Sequence, residues 1–326
     1  MSIRISNARV KSWRRCRCLH YYKYVLDIEK KKPSRPLVMG KMIHALKEAI
    51  IEGVPLRKAL KPFKKEYEKM FLEEKEEYGD IINDVYEIMA NYKDYYSDEE
   101  LEYVEIDGKK SEHHFIVPLN SDINLEFVID AIAEDPQGRK WIQETKSFKK
   151  MPKEEVRFTD LQTTIYYEGL KILGYDVHGI IWDYIRSKPP AVPDELKDGG
   201  LSKRKNIDTT YAVYLNEIID RGLDPNDYAD ILEGLVGRED QFFRRIYMPP
   251  PDTIVKPLLK DLMETAYEIS YLGDSKIRSL TWECSRCDYY SLCQAELRGL
   301  DTEYIIKSEY KERGNRNGNE KEEELE

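Results

Sequence analysis

A chain of 326 residues, 41% hydrophobic and 35% charged, can build a sizeable core and is more polar than an average domain. No apolar run approaches the ~18 residues that a membrane-spanning helix needs, and the basic start MSIRISNARVKSWRRCRC has no apolar signal core, so a cytoplasmic protein without a membrane partner is expected. The net charge of −10 argues against a uniformly basic binder of nucleic acid, yet residues 1–47 hold 13 Lys/Arg against Asp27 and Glu29, a local balance of +11 that leaves about −21 for the rest. Phosphate contacts require only a local basic face, and Arg14, Arg15 and Arg17 are candidates for it.

In chain order, residues 6–30 and 40–52 show helical spacing of apolar positions, separated by the charged, proline-containing linker KKKPSRP. Gly53-Val54-Pro55 ends the second helix. Residues 56–100 read as helical, with Leu60, Phe63, Tyr67, Met70 and Phe71 on one stripe. The pattern then changes to strands at 103–107, 112–119 and 124–134, a turn at Asp135-Pro136-Gln137-Gly138, and a further strand at 139–148. A helix at 156–174, ending near Gly174, leads to a strand at 177–186. A Pro/Gly-rich loop reaches SKRKN at 202–206, and helices are expected at 209–222, 226–246 and 255–273. The sequence thus divides into a helical region 1–100, an α/β segment 101–190, a helical region 191–310 and a polar tail 311–326 expected to be disordered.

Glu144 and Lys146 lie two apart on a predicted strand, so both project from one face. Asp130 lies on the preceding strand, inside the apolar run VIDAI, where an unpaired carboxylate is costly. Adjacent strands bring Asp130 beside Glu144. Two converging carboxylates suit a hard divalent cation such as Mg²⁺ or Mn²⁺, and a nearby lysine can stabilise charge developing on a phosphate. Taken alone, an E-x-K on a strand is most often just alternating surface charge.

The cysteines are Cys16, Cys18, Cys284, Cys287 and Cys293, with none between 19 and 283. Such clustering at opposite ends of a chain expected in a reducing compartment points to one shared metal site rather than disulfides. Zinc is the simpler occupant, although tetrahedral zinc sites more often use two short cysteine pairs. If residues 16–18 are helical, Cys16 and Cys18 point about 200° apart and only one can face the site.

The wider pattern resembles the RecB-like branch of the PD-(D/E)XK nucleases, a group that includes CRISPR adaptation nucleases, AddB subunits and small phage exonucleases. The resemblance spans residues 6–300. It implies an α/β, restriction-endonuclease-like core, a mixed central sheet flanked by helices, with helical N- and C-terminal additions tied by a metal cluster. The family's Gly-x-x-x-His element is matched by Gly40 and His44 in GKMIH, its aspartate by Asp130, and its glutamate and lysine by Glu144 and Lys146 in QETKS. Its Gln-x-x-x-Tyr element is matched by Gln162 and Tyr166 in LQTTIYY. The resemblance implies that His44, Asp130 and Glu144 ligate Mg²⁺ or Mn²⁺, that Lys146 acts on the water or the phosphate, and that Gln162 and Tyr166 edge the site. It also implies that Cys284, Cys287 and Cys293, with a fourth cysteine near the N-terminus, hold a [4Fe–4S] cluster. The register of SWRRCRCLHYY favours Cys16 as the fourth ligand, but Arg17 stands where a proline often follows, so Cys18 stays open.

The implied activity is a DNA exonuclease of the phage recombination type, resecting DNA ends for a single-strand annealing partner, in the host cytoplasm if phage-encoded and compatible with an oligomer. The other readings are a CRISPR-adaptation-type nuclease that trims DNA ends, and a non-catalytic DNA-binding iron–sulfur scaffold.

Overall fold

A computed structural model describes residues 3–152 and 159–314. In chain order the elements are β1 (Ile3–Ile5), α1 (Asn7–Arg15), α2 (Arg17–His20), a π-helical turn (Tyr21–Val25), β2 (Ile28–Lys30), α3 (Arg35–Ile51), α4 (Leu56–Ala59), α5 (Lys61–Glu68), α6 (Leu72–Tyr78) and α7 (Ile81–Tyr95). There follow β3 (Glu102–Tyr103), β4 (His113–Pro118), β5 (Ile123–Ile129), β6 (Ala131–Glu134), β7 (Lys140–Phe148), α8 (Leu161–Ile172), β8 (Gly179–Arg186), α9 (Tyr211–Asp220), α10 (Ala229–Leu235) and β9 (Phe243–Met248). The chain closes with α11 (Asp252–Leu272), α12 (Tyr290–Leu297), α13 (Glu303–Glu309) and β10 (Tyr310–Glu312). The result is a mixed α/β fold. No helix of the described residues is long and apolar enough to cross a membrane.

The chain divides into two compact units, one of residues 34–119 and 125–259, the other of 1–33, 120–124 and 260–326. The first contains a five-stranded sheet in the order β3-β6-β7-β8-β9. Only β7 and β8 run parallel, and α8 is the crossover that a parallel pair requires. The sheet is lined on both faces. Gln143 of β7 and Asp183 of β8 share one face, and Asp183 meets Lys47 of α3 and Tyr92 of α7. Glu144 lies on the opposite face and meets Gln162 of α8. Met39, Met42, Ile43 and Leu46 of α3 form a core with Val85, Ile88 and Met89 of α7 and with Ile185 and Phe243 of the sheet.

Within the other unit, β2 pairs antiparallel with β10, so Ile28 faces Glu312 in the ladder. Cys18 N–H donates to the Ile277 carbonyl at 3.0 Å, and the Tyr289 hydroxyl donates to the Ile28 carbonyl at 2.6 Å. Early and late parts of the sequence therefore fold together in this unit.

Several sequence expectations are corrected. The helix expected over 6–30 breaks at Cys16, whose backbone is extended (φ −167°, ψ 120°), and ends in strand β2 after Asp27 turns at φ +50°. The segment 56–100 is helical over most of its length but in four pieces, with breaks before Pro62, at 69–71 and at Gly79, whose φ is +56°. The strand expected at 103–107 is cut short by a turn in which Asp107 and Gly108 take positive φ. The strand expected at 124–134 divides at Asp130 into β5, which pairs with β4, and β6 of the five-stranded sheet. The helix expected at 226–246 stops at Gly237 (φ +75°), and Phe243–Met248 form the edge strand β9. Lys311 and Glu312, placed in the tail, belong to β10; residues 315–326 and the expected helix start at 156–158 lie outside the described residues. The turn at 135–138 forms as expected: Gly138 has φ +75°, and the Asp135 carboxylate accepts from the N–H groups of Gln137 and Arg139.

Candidate functional site

The six residues singled out around the nuclease motif come together in the sheet-containing unit. Ala131 pairs with Gln143 across the β6–β7 ladder, so Asp130, one residue earlier, falls beside Glu144. Asp130 sits at the break between β5 and β6. Its Oδ2 accepts the Thr145 backbone N–H at 2.6 Å, and its Oδ1 lies 3.3 Å from His44 Nδ1. His44 comes from α3, on the opposite side of the sheet from α8, and Asp130 is where groups from the two layers meet.

On the α8 side, Lys146 Nζ lies 2.5 Å from Glu144 Oε1 and 5.8 Å from the centre of the Trp182 ring. Gln162 Nε2 donates to the same glutamate oxygen at 2.8 Å and to the Tyr166 hydroxyl at 2.6 Å. The i, i+4 spacing puts Gln162 and Tyr166 on one helix face, and Asp160 caps that helix by accepting Gln162 N–H. Glu144 is 3% exposed. Its second oxygen, Oε2, is buried with no hydrogen-bond partner among the described residues. An orphaned carboxylate oxygen in the interior is costly and is suited to a cation.

The electrostatics of the two carboxylates diverge. Burial, then the neighbouring charge of Asp130, pushes Glu144 up to about 7 against the pull of Lys146 and His44. Burial acts upward on Asp130 too, but the charge and hydrogen bond of His44, the Thr145 N–H and Lys146 hold it below the ordinary aspartate value. Burial lowers His44, and Asp130 more than restores it, leaving the imidazole above its usual value. A negative Asp130 thus faces a basic His44, while Glu144 is the carboxyl that favours its proton when no cation is bound.

His44 also lines an open cleft of about 650 Å³ with Gly40, Lys41, Glu48, Glu112 and Ser147. Gly40 is close to β7 without being tightly required: a Cβ there would lie 3.6 Å from Ser147 Oγ. Sequence reasoning missed Glu112, which takes φ +50° and whose N–H donates to the Asp130 carbonyl. It also missed Lys47, three residues after His44 and therefore on the same helix face. Lys47 is buried and pairs with Asp183 at 3.1 Å; Arg245 of β9 approaches the same carboxylate at 3.3 Å. The spacing GKMIHALK held the signal for Lys47, but nothing in the sequence marks its partner.

In the other unit all five cysteines line one cavity, together with Arg15, Arg278 and Tyr22. The Ser279 N–H points at Cys16 Sγ (3.5 Å), and Cys284 Sγ lies 3.7 Å from the Ser279 carbonyl. Cys18 is 1% exposed, and burial pushes its thiol up to about 11. The helical argument that only one of Cys16 and Cys18 can face the site does not hold, because the helix is interrupted at Cys16. Among the described residues, no three His, Cys, Asp or Glu side chains stand close enough together to hold a metal ion as they are. The basic N-terminal side chains are engaged: Arg14 with Thr265 and the Asp261 carbonyl, Arg15 with Glu283, Arg17 with Glu268, and Arg35 with Asp84.

The profile of the PD-(D/E)XK nuclease superfamily matches residues 4–294. The chain belongs to that superfamily, and its class is therefore nuclease, a hydrolase acting on nucleic acid. No curated protein sequence matches it. Among solved structures, one titled "Crystal structure of SSO0001" is 10% identical, covering 88% of this chain and 95% of that one with a TM-score of 0.29, too low to carry an argument.

Proposed function

We propose that this protein is a divalent-metal-dependent DNA exonuclease acting at DNA ends, of the kind used in recombination and end resection with a single-strand annealing partner. The observation that carries the reading is the convergence of Asp130, Glu144, Lys146 and His44 around the start of β6 and the middle of β7, with one glutamate oxygen buried and without a partner among the described residues. His44, Asp130 and Glu144 offer the imidazole and carboxylate donors that suit Mg²⁺ or Mn²⁺, by donor chemistry rather than by a coordination geometry already formed. When bound, such an ion supplies Lewis acidity toward the scissile phosphate.

The remaining roles fall to the chain's own groups. Lys146, protonated and unable to ligate, neutralises charge developing on the phosphate. Gln162 holds Glu144 Oε1 in place and is itself held by Tyr166, so the carboxylate is positioned by α8. The Thr145 N–H fixes Asp130. In this reading residues 101–190 carry the chemistry, and 1–100 contribute His44.

We further propose that Cys16, Cys284, Cys287 and Cys293 hold a [4Fe–4S] cluster that ties the N- and C-terminal additions together. Thiol donors around one cavity lined by Arg15 and Arg278 fit such a group, since both arginines offset thiolate charge. The backbone N–H aimed at Cys16 Sγ favours that residue over the deeply buried Cys18. Protein purified without air should carry iron, lost in Cys16→Ala and kept in Cys18→Ala; zinc in place of iron removes the cluster from the reading. For the nuclease itself, end-labelled linear DNA should be degraded with Mn²⁺ while a closed circle survives. Near wild-type cutting by Asp130→Ala would sink the assignment.

A further inference from the structure

Positive charge near the candidate catalytic strand is not confined to the basic N-terminal run. Ser187 N–H donates to the Phe148 carbonyl at 2.8 Å, so the chain leaving β7 and the chain leaving β8 emerge side by side. Lys149 and Lys150 follow directly on β7, and both are exposed. They stand three and four residues beyond Lys146, on the order of 10 Å along an extended chain. That is about three nucleotide steps of a B-form strand at roughly 3.4 Å each.

Beside them, at the end of β8, a single carboxylate holds two cations. Asp208 accepts Arg186 through both oxygens, at 2.7 and 2.9 Å, and Lys188 at 2.8 Å, with the Lys188 side chain still 57% exposed. One negative charge against two leaves a positive excess on groups already held in place. The Ala191 N–H donates to the Asp208 carbonyl, which joins the β8 exit to the loop carrying the exposed Lys203, Arg204 and Lys205. A scattered solvated face would not be expected to gather the separate basic segments 149–150 and 186–188, in a chain of net charge −10, at the end of the one strand that bears Glu144 and Lys146.

We propose that the DNA backbone runs across the C-terminal ends of β7 and β8, with Lys149, Lys150 and Lys188 contacting its phosphates and the Asp208 clamp fixing the register of the last. This rests on reading the chain as a DNA nuclease and adds the face over which the substrate lies. It also removes Arg14, Arg15 and Arg17 from that task, because they already have partners within their own unit.

The test is equilibrium binding of a fluorescent linear DNA, with Ca²⁺ in place of Mg²⁺, between about 50 and 200 mM salt. The triple variant Lys149→Ala/Lys150→Ala/Lys188→Ala should bind more weakly and lower the slope of log K against log salt by about two to three, one unit or slightly less per lost phosphate contact. The triple lysine-to-arginine variant should restore most of the slope. An alanine variant that keeps its thermal midpoint and the wild-type slope overturns the proposal, as does a slope lost equally in the arginine variant. Failure of the wild-type protein to bind DNA at all is a different result: it removes the nuclease reading itself and this surface with it.

Discussion

Removing the charge of Lys47 tests whether α3, and with it His44, is held on the sheet by a buried ionic network. Lys47 Nζ and the Asp183 carboxylate are 3.1 Å apart, with side-chain exposures of 3% and 0%. Lys47→Met keeps the stem but leaves Asp183 short of its nearest cation. Breaking one side of a buried pair typically costs about 3–5 kcal/mol. Here Arg245, Gln143 and Tyr92 still address the same carboxylate, and burial already pushes Lys47 down to about 8 and Asp183 above the ordinary aspartate value. The lower end, roughly 3 kcal/mol, is therefore expected, or on the order of 5–10 °C in thermal midpoint for a chain of this size. Because the stranded Asp183 can escape its penalty by taking a proton, the loss should be larger near pH 8 than near pH 5: its folded value is raised, so stability is lost as pH rises. Adding Asp183→Asn should recover more than half of the loss, since the double change leaves no lone charge behind. Thermal unfolding with and without Mn²⁺ reads both stability and the cation site proposed for His44. A Lys47→Met midpoint within 1–2 °C of wild type at about pH 8, or strictly additive effects in the double variant, would refute the reasoning.

The same physics gives sharper outcomes elsewhere. In EDTA, Glu144→Gln should be more stable than wild type above about pH 7 and should no longer gain stability from Mn²⁺. Glu144 has a folded value near 7 against an ordinary 4.5, so its contribution is full below 4.5 and is lost as pH rises through 7; parallel stability curves for the two proteins from about pH 5 to 8 contradict this. Lys146→Ala should depress turnover far more than Mn²⁺ affinity by calorimetry, and equal losses of affinity in Lys146→Ala and Glu144→Ala would remove the proposed division of roles. Gly169→Ala should destabilise by about 1–3 kcal/mol and impair cleavage through Gln162 and Tyr166 on the same helix, because the added Cβ would fall 2.3 Å from the Phe127 ring. By contrast Gly40→Ala, with its nearest neighbour at 3.6 Å, should fold normally in a denaturant titration.

How much of this was legible in the sequence depended on which physical signal each segment carried. Strand β7 was readable because it directly follows the turn at Asp135-Pro136-Gln137-Gly138, and α8 because its apolar positions show helical spacing ending near Gly174. Strand β9 was not, since FRRIYM places Arg245 inside: an arginine with a 5% exposed side chain, paired with Asp183 and Glu99, has the composition of a helix surface. The division of 124–134 was invisible for a related reason. EFVIDAIAE contains no Gly or Pro to mark an interruption, and the break at Asp130 is stabilised by Glu112 and Thr145, which are distant in sequence. Asp130, Glu144 and Lys146 were findable together because their spacing fits two adjacent strands, whereas His44, Gln162 and Tyr166 were singled out through the family resemblance. Their supporting groups, Lys47, Asp183 and Arg245, were not, because a buried charge network has no local pattern.

The charge distribution shows most clearly what a linear reading lacks. A run of 13 basic residues in the first 47 looks like a phosphate-binding arm when only sequence neighbours are counted. In the fold, Arg14 and Arg17 meet α11, Arg15 meets Glu283, Arg35 meets α7 and Lys47 is interior. Glu283, Glu268, Asp84 and Asp183, from the acidic remainder of the chain, supply carboxylates to Arg15, Arg17, Arg35 and Lys47. Beside the candidate catalytic strand, positive groups also come from 149–150 and 186–188, neither conspicuous in a sequence window. Arg186 and Lys188 are held by one carboxylate, Asp208, and Lys149 and Lys150 follow Phe148, whose carbonyl accepts the Ser187 N–H at the end of β8. Affinity for a polyanion follows from where charges end up, not from where they are encoded, and an acidic protein can carry a DNA track only if its basic groups are gathered by the fold in this way.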